Sequence, residues 1–181
     1  MIDAVGFMSE IPVIKNQVLS LLLHDEILMK LVADRPDVKL PALDMRYTHV
    51  YPFLYTKGTT TDSKAFITFD TSLAGRTDRD ENLHPAIVNL TLEVFAFCHE
   101  DLAIIDDAVA KRLQIDDENY RGYRVDLMCM RIDSLLNGAE PSSFGKLKFY
   151  SQEVVEPLAT DYQGKCNIYS SINANRYGGA L

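Results

Sequence analysis

Residues 86–99, AIVNLTLEVFAFCH, constrain the fold more than any other stretch of the chain. Val88, Leu90, Leu92, Val94, Ala96 and Cys98 alternate onto one face at the period of a β-strand. Asn89, Thr91 and Glu93 fall on the other face, until Phe95 and Phe97 take their place. The strand is therefore wet on one face in its first half and covered on both faces in its second. That pattern predicts a central strand with a helix on one side, and either the rest of the fold or a neighbouring subunit on the other.

The flanking segments supply both helices and strands. Ile14, Val18, Leu21, Leu22, Leu28 and Val32 recur at helical spacing, with Ser9 as the predicted N-cap and Pro12 in the first turn. The sequence HDEI (24–27) predicts a break, with Asp25 capping a second piece that ends at DRPD (34–37). In 46–55, Tyr47, His49, Tyr51, Phe53 and Tyr55 share a face at period two, which predicts an edge strand because Pro52 cannot donate to a ladder. KAFITFD (64–70) reads as its hairpin partner. Residues 71–85 show no periodicity and carry mixed charge, which predicts a long loop. DLAIIDDAVAKRL (101–113) reads as a helix capped by Asp101, and YRVDLMCMRIDSLLNG (123–138) as a second helix stopped at Asn137-Gly138. KLKFYSQEVV (146–155) and KCNIYSSINA (165–174) read as closing strands. The order predicts an α+β fold, a small mainly antiparallel sheet with helices packed on one face. It forms one domain over 1–181, with a core at 9–175 and a flexible tail at 175–181.

Three reactive side-chain types adjoin at Cys98, His99 and Glu100. Strand alternation puts Cys98 and His99 on opposite faces, so they cannot form a thiolate–imidazole pair directly, and Cys98 reads as a buried core thiol. His24, His49 and His84 are scattered and lack metal-ligand spacing. Asp101, Asp106, Asp107, Asp116, Asp117 and Glu118 lack the ligand order and central glycine of a calcium loop, and read as a solvated acidic surface. YRGYR (120–124) reads as a helix start with local ion pairs. No phosphate-binding glycine loop occurs. The expectation is a protein with no catalytic residue, cofactor or metal.

Composition narrows the partners. The formal net charge is −8 and the pI about 4.9, a poor match for phosphate backbones or anionic membranes. Cys98, Cys129 and Cys166 are widely spaced and read as reduced thiols. MIDAVGFMSE has no basic run ahead of an apolar core, so no secretory signal is expected, and VLSLLL is too short to span a bilayer.

The element order, together with VLSLLLHDEILMKLV, YTHVYPFLY, LTLEVFAFCH and YRVDLMCMRIDSLLNG, resembles the tail-terminator (tail-completion) and neck proteins of long-tailed bacteriophages. The resemblance spans roughly 9–175, with DLAIIDDAVAKRL as a possible departure. It implies a ring, usually of six subunits, that caps the tail tube and joins it to the head. The implied partners are other copies of the chain, the tail tube protein and a head–tail connector or stopper, in the virion. Genome passes through without specific binding, and an acidic channel lets it slide by repelling phosphate. Arg76, Asp78, Arg79 and Asp80, in the 71–85 segment, are the candidate subunit or tube contacts. Alternatives are a head-completion adaptor of the same neck, a small hydrolase using Cys98 or a histidine cluster, and an adaptor that binds a peptide on its edge strand.

Overall fold

The structure, a computed structural model, describes residues 5–54, 63–76, 87–141, 145–156 and 161–173. Among the described residues, four helices, α1 (Val5–Leu23), α2 (Glu26–Ala33), α3 (Asp107–Leu113) and α4 (Arg124–Leu136), accompany seven strands. The strands are β1 (Val50–Tyr51), β2 (Ala65–Arg76), β3 (Ile87–His99), β4 (Ile104–Ile105), β5 (Gly122–Tyr123), β6 (Lys148–Val155) and β7 (Tyr162–Asn173). The main sheet runs β1-β2-β3-β7-β6, and β4 pairs with β5 in a small second sheet. Every neighbour in the main sheet is antiparallel except β1, which runs parallel to β2. This is the α+β architecture expected from the sequence.

β3 is the central strand. It pairs with β2 from Ala65↔Cys98 to Arg76↔Ile87, and with β7 from Val88↔Asn173 to His99↔Tyr162. Its predicted apolar face is real: Leu90, Leu92, Val94, Ala96 and Cys98 are all buried beneath the helices. On the opposite face Phe97 stacks on Phe66 at 5.0 Å and lies parallel to Phe95 at 6.3 Å. Tyr51 and Tyr162 complete a second, aromatic cluster there. The cover inferred for the second half of β3 is thus supplied by rings from neighbouring strands. Gly164 makes this possible, because a Cβ at that position would lie 2.5 Å from the Phe97 ring.

Several local expectations are corrected. The first helix starts at Val5, so Ser9 is not its cap and Pro12 lies inside it. Asp25 does cap α2, accepting from Leu28 N at 2.8 Å. The predicted aromatic strand 46–55 is paired only at Val50–Tyr51, and its pairing with β2 is parallel, so no hairpin forms. Tyr47 adopts φ 62, which breaks the alternation; its exposed ring stacks on Phe53 while Tyr51 turns inward. Tyr55 lies outside the described residues. The predicted helix 101–113 is shorter: a 3-10 turn at Glu100–Leu102 and strand β4 precede α3, and Asp106 is the cap. α4, β6 and β7 fall where periodicity placed them, with β7 starting three residues earlier than read.

One buried cation ties the helices to the sheet. Arg124, at 1% exposure, donates to Leu31 O, Leu102 O and Asp34 Oδ1, each at 2.6 Å. Asp34 also takes both ends of the Arg112 fork. Of YRGYR, Arg121 makes the expected local ion pair with Asp107, but the Arg124 pair is long-range.

Two stability outcomes follow from these contacts. Arg124→Ala leaves Asp34 and two carbonyls without their buried donor and should cost about 3–5 kcal/mol in chemical denaturation. Gly164→Ala forces Phe97 out of its stack and should cost about 1–3 kcal/mol, with the loss relieved by combining it with Phe97→Ala.

Candidate functional site

The Cys98–His99–Glu100 triplet does not assemble a reactive centre. Cys98 points into the helix-side core and its Sγ donates to the His99 carbonyl at 3.3 Å. His99 lies on the other face, edge-on to the Tyr162 ring at 5.2 Å. Its Nδ1 accepts from Asp101 N at 3.2 Å and sits 3.3 Å from Asp101 Oδ2. Burial pushes the Cys98 thiol up to about 12, and does the same for Cys129 and Cys166. A raised thiol pKa holds the sulfur protonated at neutral pH, the opposite of what a nucleophile needs. The pKa of His49 is lowered, first by burial and then by Lys64 and Arg35. Among the described residues, no three His, Cys, Asp or Glu side chains converge in a way that could hold a metal ion. None of the helices among the described residues is long and apolar enough to cross a membrane.

The 71–85 segment is not one loop. Residues 71–76 continue β2 in full register with β3, and the strand ends at Arg76 opposite Ile87. The run TSLAGR has Leu73 as its one large apolar residue, packed against the core, so it offers no repeat to read. Its partner strand holds it in the ladder, an effect of tertiary pairing over intrinsic preference. Arg76 is thus the last residue of a strand, and Asp78, Arg79 and Asp80 lie outside the described residues. The candidate contacts are not brought together in the described structure.

What the sequence reading missed is the opposite border of the sheet. β6 pairs with β7 on one side, and no described strand pairs with its other side. α4 lies over β3 and β7, while α1 and α2 stand over β2, so the helix layer stops short of β6. Phe149 (42%), Tyr150 (74%) and Val154 (80%) are consequently exposed, beside Tyr123 and Met130 from the α4 side. A cleft follows the line between α4 and β6, with the Lys165–Asp126 ion pair (2.6 Å) at its middle. Phe149 and Val154, five positions apart, share a face because the irregularity between Phe149 and Ser151 adds a residue, which the sequence pattern does not show. At the other border, among the described residues, β1 pairs with Ile67 and Thr68 of β2. Among the described residues, β1 and β6 are the border strands of the sheet, and each pairs on one side.

The fold defines an α+β domain whose sheet, among the described residues, is bordered by β1 and β6. The chain belongs to the YomW family, whose model matches residues 19–171. That family carries a phage-type name, and the chain is on this ground a phage-related protein. No curated protein matches the chain.

The thiol chemistry has a direct test. With pKa values of about 12, about one thiol in 10⁴ is ionised at pH 8. Disulfide-exchange labelling of the folded protein should therefore run at least about 100-fold slower than in denaturant, with three thiols released on unfolding.

Proposed function

We propose that this chain is a structural virion protein that caps the tail tube and joins it to the head as a ring, with the genome passing through the lumen. The observation that carries the proposal is a small sheet whose border strands among the described residues, β1 and β6, each pair on one side, in a protein of a phage-type family. A subunit with unlike borders at opposite sides can add copies head to tail, and such an addition closes into a ring when the rotation between copies divides the circle. The net charge of −8 supports passage of DNA without capture, since acidic walls repel phosphate. The buried, protonated thiols and the separation of Cys98 from His99 favour this reading over a cysteine hydrolase.

In this role the partners are other copies of the chain, the tail tube protein, and a connector or stopper on the head side. Arg76 and Arg79, with Asp78 and Asp80, supply the charged contact to a subunit or to the tube. Particles made without the protein should show unjoined heads and tails of irregular length. Electron microscopy of wild-type particles should place the labelled protein at the head–tail joint. Normal joined particles in its absence would sink the proposal. The double variant Arg76→Glu, Arg79→Glu should reduce incorporation into particles roughly tenfold or more while leaving the circular dichroism and melting temperature unchanged. Undiminished incorporation would remove those arginines from the contact.

A further inference from the structure

We propose that the Arg46–Tyr47 turn of one copy docks into the acid-lined cleft between α4 and β6 of a second copy, with the Arg46 guanidinium meeting the Asp133 carboxylate. This names the contact between subunits and rests on the ring reading above.

The turn leads into β1 at one border of the sheet. A 3-10 turn at Leu43–Met45 precedes it, and the buried Met45 roots it in the core. Tyr47 takes φ 62, a left-handed backbone that a bulky side chain rarely adopts. Its neighbours hold it there. Tyr47 N donates to Val50 O and His49 N to Met45 O, both at 2.9 Å, and Thr48 Oγ1 donates to Asp44 O at 2.8 Å. The result is a fixed knob, in which the exposed Tyr47 ring stacks on Phe53 between the exposed Leu43 and Leu54. The Arg46 guanidinium lies 4.8 Å from the centre of the Tyr47 ring and gives one N–H to its hydroxyl at 2.9 Å. Its other donors are unused. Among the described side chains Arg46 is the one arginine without a carboxylate partner, since Arg35, Arg112, Arg121, Arg124 and Arg131 each have one. A knob held out in advance spares a contact the cost of ordering it.

The cleft lies at the opposite border and measures about 370 Å³. Asp126 and Asp133 line it from α4, two helical turns apart. Lys165 neutralises Asp126 at 2.6 Å. Asp133 is partly buried and has no cation partner among the described residues. The Tyr169 hydroxyl feels its charge, yet Asp133 Oδ1 is sealed from water and accepts no hydrogen bond. A carboxylate so placed gains more from an incoming guanidinium than an exposed one does. Phe149 and Met130, both exposed, form an apolar rim around it. Knob and cleft are therefore matched. Each is an apolar rim around one unbalanced charge, and the two charges are opposite. They sit at opposite borders and are unlike, so docking runs head to tail and leaves a knob and a cleft free at the ends of an open chain, which ring closure joins. The contact uses side chains outside the ladder and leaves the pairing of β1 with β2 intact.

Disulfide cross-linking of the full chain tests the contact. Tyr47→Cys and Met130→Cys, both at exposed sites, are mixed at about 100 µM under air oxidation, while the three native thiols stay buried. Linked dimers should form at least about tenfold faster in the mixture than in either variant alone, because knob meets cleft and neither meets its like. In sedimentation equilibrium up to about 1 mM the wild type should associate with concentration. Arg46→Glu should weaken that association about tenfold with the melting temperature unchanged, and adding Asp133→Arg should restore it to within about threefold. Cross-linking no faster in the mixture overturns the contact, as does a strictly monomeric wild type or association unaltered by Arg46→Glu. Such a result leaves the virion reading standing on its own test, because particle imaging locates the protein however its copies meet. Knob-to-cleft cross-linking in a protein absent from particles would retain the contact and remove the virion role.

Discussion

A guanidinium sealed from water cannot be left with idle donors, and Arg124 shows how the fold meets that demand. Desolvating it costs several kcal/mol unless every partner is in place. Here the partners come from distant parts of the chain: the carbonyl of Leu31 and the carboxylate of Asp34 at the end of α2, and the carbonyl of Leu102 in the turn after β3. The C-terminal end of α2 is the correct place for a cation, since its carbonyls carry the negative end of the helix dipole. Arg124 is also the first residue of α4, and its own N–H donates to Ala103 O at 2.7 Å. A single side chain therefore fixes the start of α4 against both α2 and the exit of the central strand. α4 then crosses β3 and β7, and the helix layer ends where α4 ends. The bare state of β6 is a consequence of that anchor.

The legible parts of the fold were those with a strong period. β3 and α4 each carry an apolar repeat that only one kind of element can bury, and they formed where the repeat placed them; β6 and β7 also fell where they were read, though β6 is exposed along most of its length. The missed parts had no such repeat, or had a misleading one. TSLAGR in the second half of β2 carries a single large apolar residue, Leu73, and its pairing with β3 keeps it extended. Tyr47, Tyr51 and Phe53 alternate in sequence, yet Tyr47 takes a left-handed backbone and the face is lost. The Arg124–Asp34 pair spans 90 positions and could not be read from either residue's surroundings. For the candidate site, the sequence pointed to an edge strand at 46–55, and its paired part, β1, does lie at a border of the sheet; the second border, at β6, was not read. The exposed ledge is at β6, because neither border assignment nor helix coverage is encoded locally.

The helix-free face of the sheet divides into two regimes along its length. At one end Phe66, Phe95, Phe97 and Tyr162 bury one another, so that end needs no helix above it. Toward the other end the same face carries Asp70, Ser72, Thr91, Glu93 and Ser170, side chains that hold water. The acidic charge of the chain is thus partly organised on a sheet face and partly on the exposed acids between residues 100 and 118. In the ring proposed above, this places an acidic, hydroxyl-rich wall on the face that the helices leave uncovered.

An unpaired strand must also avoid pairing with everything. β6 carries Lys148 and Glu153 but no proline, so charge alone guards it. It also carries an irregularity between Phe149 and Ser151, where Tyr150 is squeezed out of register. A bulge increases local twist and interrupts the row of outward-facing groups, which makes a flat, indefinite extension of the sheet costly. The edge at β2 has its own guard: Lys15 folds over it to Asp70, and β1 blocks it at Ile67 and Thr68. Each border is thus guarded against a generic strand. Edges guarded in that way favour a partner whose charges and twist match, and that selectivity is what separates a closed assembly from an aggregate.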